Sequence, residues 1–271
     1  MSAKIFLDEA EDAARSGNHE LAIKCFWAAG KLEPTDVFIR MRLGVMLRKS
    51  GRMNEALEEF TTVTKLSPEW GEAWREKGVI EGIIARAIPA GKRPKWLNDG
   101  QASLERATRI NPDDFDAWAS LGGVLKNVQD NLPAALQAYW KSAEVSNWHP
   151  YPLLNALRLE ATIKGHFNFS GRAEHLKAAE SLRRGQCQAD PPSDSPWCFF
   201  DLAEILLYQD NVDEFLSVTD QGIEKSTANW EVETFKNSLV QLQGLGMESP
   251  ELSKGVGKLT QASKKMAATQ E

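Results

Sequence analysis

The chain has 271 residues, with 32 Lys and Arg against 38 Asp and Glu, and the resulting net charge of -6 argues against a general nucleic-acid binder. Three cysteines, Cys25, Cys187 and Cys198, are too few and too scattered for a disulfide framework, and their odd number favours a reducing compartment. No apolar run approaches the roughly 20 residues of a membrane helix, and the opening residues, with Asp8, Glu9, Glu11 and Asp12, do not read as a signal peptide, so a soluble cytoplasmic protein is expected.

From the N-terminus onward one pattern recurs at a spacing of 34 residues. Ala10, Ala22, Phe26, Ala29 and Pro34 return as Gly44, Ala56, Phe60, Val63 and Pro68. A third copy, stretched by ten residues, supplies Trp74, Gly78, Leu104, Ala107 and Pro112, and a fourth supplies Trp118, Leu121, Gly122, Ala135, Tyr139 and Ser142. Within the second copy Leu43, Gly44 and Leu47 share one helical face, as do Ala56, Phe60 and Val63 on the next helix. Gly51 between them suits the positive φ that ends many helices, and Pro68 stops the second helix. Helix, tight turn, helix and proline make one unit, so an array of antiparallel helix pairs is expected, growing by added units.

This pattern resembles the tetratricopeptide repeat family, whose units read W-x2-L-G-x2-Y, then A-x3-F, then P. The resemblance covers residues 3 to 148 and implies an all-α solenoid with about four recognisable repeats and a concave groove lined by the first helix of each unit. Beyond it, Tyr151 to Lys164 with Arg172 to Gln188, and Trp197 to Tyr208 with Val212 to Lys225, read as two degenerate helix pairs. Trp230 to Leu242 reads as a helix that caps the array. The expected organisation is therefore repeats over 1–148, degenerate pairs plus the capping helix over 149–243, and a flexible basic tail over 244–271.

The family places groove contacts at the second, fifth, ninth, twelfth and thirteenth positions of each first helix. Among the residues that stand at these positions, Ile83 of the third unit included, Arg15, Phe38, Met41, Val45, Arg48, Lys49, Arg75, Lys126 and Asn127 are the partner-binding candidates, a mixture that suits a peptide segment or helix of another protein with some acidic character. Family members that clamp a chaperone's C-terminal carboxylate carry Lys and Asn at the fifth and ninth positions of the first repeat. Here Leu7 and Glu11 stand there, so that clamp is absent.

Two charge features remain. Residues 188–233 hold eleven acidic side chains and one basic one, Lys225, whereas 150–187 hold six basic and three acidic. The acidic stretch is either a solvated face or a dock for a basic partner segment, centred on Asp210, Asp213 and Glu214. The insertion near 85–98 sets Arg86, Lys92, Arg93 and Lys95 beside Trp96, as a surface loop or a partner contact.

No catalytic, cofactor or metal site is expected. His19, His149, His166 and His175 lack zinc-binding spacing, and Gly255-Val-Gly-Lys258 has Leu252 and Leu259 where a phosphate loop needs Gly and Ser or Thr. The expected function is a non-enzymatic interaction scaffold or adaptor. The alternative is an accessory or sensor subunit controlling a separate enzyme in a bacterial defence or signalling complex.

Overall fold

Side-chain capping starts several of the helices. Asp36 Oδ1 accepts from the backbone N–H groups of Phe38 (2.8 Å) and Ile39 (3.1 Å), Asn18 accepts from Leu21, and Asp114 accepts from Ala117, each satisfying donors that a helix start leaves open. The structure, a computed structural model, describes residues 2–268. It contains fourteen α-helices and no strand among those residues. In chain order they are α1 (Ala3–Arg15), α2 (His19–Leu32), α3 (Val37–Lys49), α4 (Met53–Leu66), α5 (Gly71–Ala87), α6 (Gln101–Ile110), α7 (Phe115–Asn127), α8 (Leu132–Val145), α9 (Pro150–Lys164), α10 (Ala173–Gln188), α11 (Trp197–Tyr208), α12 (Val212–Lys225), α13 (Asn229–Gly244) and α14 (Pro250–Ala268).

The chain divides into two compact units, Met1–Ala138 and Tyr139–Glu271. This boundary falls inside α8, earlier than the expected division at 148. Ala143 of α8 belongs to the core formed with Leu153 and Leu157 of α9 and the apolar face of α11, and Trp140 packs against that core. The second half of α8 therefore finds its apolar partners in the following helices.

In the first unit the small residues set the spacing between helices. A Cβ built on Gly44 would lie 2.7 Å from the ring of fully buried Phe60, and one on Gly78 would lie 2.6 Å from Leu104. The absence of a side chain at these two points lets α3 meet α4, and α5 meet α6, at a separation no larger residue allows. A second device joins each helix pair of this unit to the next. Arg40 Nε, Trp74 Nε1 and Trp118 Nε1 each donate a 2.8 Å hydrogen bond to the carbonyl of Pro34, Pro68 and Pro112, six residues upstream. Gly51, at φ +75°, makes the turn between α3 and α4.

The ten-residue insertion is largely absorbed into regular structure. It lengthens α5 to Ala87, forms a short 3-10 turn at Ala90–Lys92, and returns through Gly100, at φ +93°, whose backbone passes so close to Gly78 that a Cβ would meet the Gly78 carbonyl oxygen at 2.3 Å. Arg93 Nε bonds the carbonyls of Ala85 (3.0 Å) and Ile88 (3.2 Å) and so closes the open end of α5.

The second unit differs from the sequence expectation at its end. In place of a flexible tail over 244–271 behind a capping helix, Pro250–Ala268 form α14, which packs on both α12 and α13. Residues 269–271 of that expected tail lie outside the described residues. Leu252 and Leu259 are fully buried, Gly255 lies against the Phe215 ring, and Lys258 pairs with Asp220 of α12 at 2.7 Å. Ser249 Oγ accepts from the Leu252 N–H at 2.9 Å, with Pro250 at the first helical position, so the helix carries its own start signal. α13 is thus the first member of another helix pair.

Two substitutions test this packing by urea unfolding. Gly44→Leu should cost about 1 to 3 kcal/mol or more through overpacking against Phe60, and the added Phe60→Leu change should recover part of that loss. Leu252→Ala or Leu259→Ala should each cost about 2 to 5 kcal/mol, whereas a mobile tail would tolerate both without change.

Candidate functional site

The first helices of the first unit, α1, α3, α5 and α7, carry the nine groove candidates, and ion pairs tie each of these helices to the next. Arg42 of α3 donates from Nε to Glu11 of α1 at 2.9 Å. Arg48 Nε of α3 lies 3.0 Å from Glu76 Oε2 of α5, paired in charge but not aligned for a hydrogen bond. Arg75 Nη1 of α5 donates at 2.8 Å to Asp114, the residue that caps α7. Arg48 and Arg75 are therefore engaged inside the fold.

The remaining candidates divide by exposure. Met41 is buried, as are Ile39, Leu43, Met46 and Leu47 on other sides of the helix, because α3 is covered by α2, α4 and α5 at once. Val45 and Lys126 are half-buried. Arg15 is exposed and paired with Asp12 on its own helix. Asn127 is exposed, and its side-chain amide donates to the Gly123 carbonyl at 2.9 Å. Lys49 is exposed. Phe38 is 68% exposed, with its ring centroid 5.1 Å from that of Trp70.

One apolar residue on this unit escaped the sequence reading, and a second, at the thirteenth position of α5, stood among the groove positions without being singled out. Trp70, the N-cap of α5, supports Phe38 yet precedes the helical positions considered. Ile83 of α5 is 44% exposed. On the insertion, Trp96 is 68% exposed and borders an open cleft whose other walls include Leu57, Thr61 and Lys65 of α4 and Lys77 of α5. Buried Glu81 on the same wall accepts from Ser103 Oγ at 2.6 Å and from Asn98 at 3.3 Å.

In the second unit the acidic stretch meets the basic one. Glu204, 1% exposed, accepts from Arg158 Nη1 and from Tyr208 Oη, both at 2.6 Å. Asp201 and Asp194 flank Arg183, itself 1% exposed. Glu214 receives both arms of Arg184, at 2.5 and 2.8 Å, and this guanidinium holds its carboxyl below the ordinary range. Burial raises Glu204 and Asp201 above the usual carboxylate values, against the pull of Arg158 and Arg183. Of the three residues expected to form an acidic dock, Asp210 and Asp213 are exposed and Glu214 is the internal partner of Arg184.

The histidines do not converge on a metal. His175 stacks on Trp148 at 3.5 Å, and burial with the nearby Arg172 keeps its imidazole below the ordinary pKa. His149 caps α9 by accepting from the Tyr151 N–H. Among the described residues no three His, Cys, Asp or Glu side chains gather to hold a metal ion, and no helix is long and apolar enough to cross a membrane.

No protein-family model and no curated protein sequence matches the chain. Solved structures do. One is MamA from Desulfovibrio magneticus RS-1, 21% identical, covering 68% of this chain and 96% of that one at a TM-score of 0.55. Another is a tetratricopeptide repeat protein from Parabacteroides merdae ATCC 43184, 14% identical over 96% of this chain and 98% of that one, at 0.52. The thermophilic TPR protein TTC0263 of Thermus thermophilus is 16% identical over 88% of this chain and its own full length, at 0.50. The chain has a tetratricopeptide-repeat fold. The tetratricopeptide repeat accounts for the glycine notches and the side-chain bonds to proline carbonyls, while charged positions of its first helices are used in this chain to join neighbouring helix pairs.

The Arg158–Glu204 pair gives a direct test of the internal electrostatics. Arg158→Met should cost about 3 to 5 kcal/mol because it strands a buried carboxylate, and Arg158→Met with Glu204→Met should recover much of it. In the single variant the folded state keeps Glu204 protonated to higher pH than the unfolded chain does. Its deficit should therefore be small in acid and grow as pH rises through the folded pKa, which chemical unfolding at several pH values will show.

Proposed function

We propose that the chain is a non-enzymatic interaction scaffold, an adaptor that holds a peptide segment or helix of another protein on the face presented by α1, α3, α5 and α7. The exposed Phe38, its ring tilted against that of Trp70, carries this reading. Leaving an aromatic ring two-thirds uncovered forgoes burial, and aromatic side chains are the commonest anchors of protein interfaces. Exposed Ile83 adds apolar surface to α5, and exposed Lys49 at the end of α3 favours an acidic residue in the partner.

The same reasoning lowers the weight of Arg48 and Arg75, whose charges already have acidic neighbours within the fold. Reversing Arg48 to Glu would set a carboxylate against Glu76 and disturb stability as well as binding. An acidic dock on the second unit, for a basic partner segment, would rest on Asp210 and Asp213 without Glu214. The free thiols of Cys25, Cys187 and Cys198 fit a reducing, cytoplasmic setting.

Selection of a displayed peptide library on the intact chain tests the proposal. Phe38→Ala and Lys49→Glu should each weaken the selected peptides by about tenfold or more, while the unfolding free energy changes by no more than about 0.5 kcal/mol. Undiminished affinity in both variants would move the site off this face.

A further inference from the structure

Arg183 and Cys187 lie one turn apart on α10 and so share a face, while Cys198 and Asp201 lie one turn apart on α11. The two helices run antiparallel, as side-chain pairs along them show. Gln209 donates to Glu180 at 3.0 Å, and Arg183 Nε donates to Asp201 at 3.1 Å. One turn further along α10, and one turn back along α11, this register brings Cys187 opposite Cys198. Cys198 belongs to the core against which Cys187 packs, and each thiol lies close enough to shift the other's proton affinity.

Arg183 fixes this arrangement from both sides. Its guanidinium bonds Asp201 on α11 and Asp194 in the preceding loop, and the Cys198 N–H returns to the Asp194 carbonyl at 2.9 Å. Cys198 is fully buried and Cys187 half-buried, so the pair has one edge towards solvent. We propose that Cys187 and Cys198 form a reversible redox site, closing to a disulfide under a hydroperoxide oxidant and reopening under thiol reductants.

The chemistry balances with hydrogen peroxide. A thiolate sulfur attacks one peroxide oxygen, forming an S–O bond and breaking the O–O bond, and the departing hydroxide takes up a proton to become water. The second sulfur then attacks the first, forming the S–S bond and breaking the S–O bond, and a second water leaves. Both sulfurs are oxidised and both peroxide oxygens reduced. The neighbouring Cys187 thiol and then Arg183 favour the thiolate at Cys198, while burial opposes it, and the partner thiol supplies the resolving group.

The sequence makes the test direct, because trypsin cuts after Arg184 and next after Lys225, leaving both cysteines on one peptide. The reduced full-length chain is treated with hydrogen peroxide, denatured, alkylated with iodoacetamide and digested. Expected is a peptide 185–225 that has lost both alkylation sites and two hydrogens relative to the reduced control, with both sites restored by dithiothreitol and Cys25 alkylated throughout. In Cys187→Ser, which lacks the resolving thiol, Cys198 should instead be trapped as a sulfenic acid by dimedone present during denaturation. If that variant fails to fold, the wild-type mass measurement still decides. Full alkylation at both positions after peroxide, sulfinic acid without a link, or a disulfide joining two chains would each overturn the proposal.

Discussion

The contact on which the repeating architecture depends is an aromatic or aliphatic side chain lodged against a residue that has no side chain of its own. Phe60 lies against Gly44 and Leu104 against Gly78, and in each case a Cβ would intrude to within 3 Å. Close packing of this kind maximises dispersion contact and leaves no room for water. It fixes the distance between paired helices, and the bond to the proline carbonyl from Arg40, Trp74 or Trp118 then fixes how one pair joins the next. The 34-residue period in the sequence is the trace of these two constraints repeated. The donor matters more than the residue type, since Arg40 does with its Nε what the two tryptophans do with theirs.

Several charges join separate elements of the fold. Along the first helices of the first unit, Glu11, Arg48 and Arg75 join neighbours that the aliphatic core alone would hold without a fixed register. In the second unit the opposite charges of two adjoining stretches meet in Arg158–Glu204, Arg183–Asp201 and Arg184–Glu214. The first two of these carry carboxylates that burial lifts towards protonation, so their weight lies in geometry more than in net stabilisation. A local charge imbalance read along the chain can thus be largely cancelled in space.

The fold was legible because its signals were small residues at fixed offsets, prolines, and apolar faces at helical period. Helix α14 was missed although Ser249-Pro250-Glu251 is a helix start and Leu252, Val256, Leu259 and Met266 share a face. Its two glycines and several lysines resembled a solvated tail, and only the packing of Gly255 on Phe215 shows why a glycine belongs there. The groove candidates were less legible. Position along a first helix does not reveal that Met41 is covered on several sides or that Arg48 and Arg75 face carboxylates supplied from elsewhere in the chain. Trp70 escaped because it lies one residue before its helix, where periodicity carries no information.

What distinguishes a binding residue in an array of this kind is therefore not its place in the repeat but its lack of an internal task. A ring such as Tyr139 or Phe200 that fills a core has its burial explained by the fold. Phe38 lies mostly in solvent with its ring beside that of Trp70, although Ile39 next to it is buried. The backbone at Phe38 is already tied to Asp36 through the cap of α3, so the ring is presented from a fixed point and loses little entropy when covered. An exposed aromatic on a rigid helix start is poorly placed to stabilise the isolated chain and well placed to anchor another.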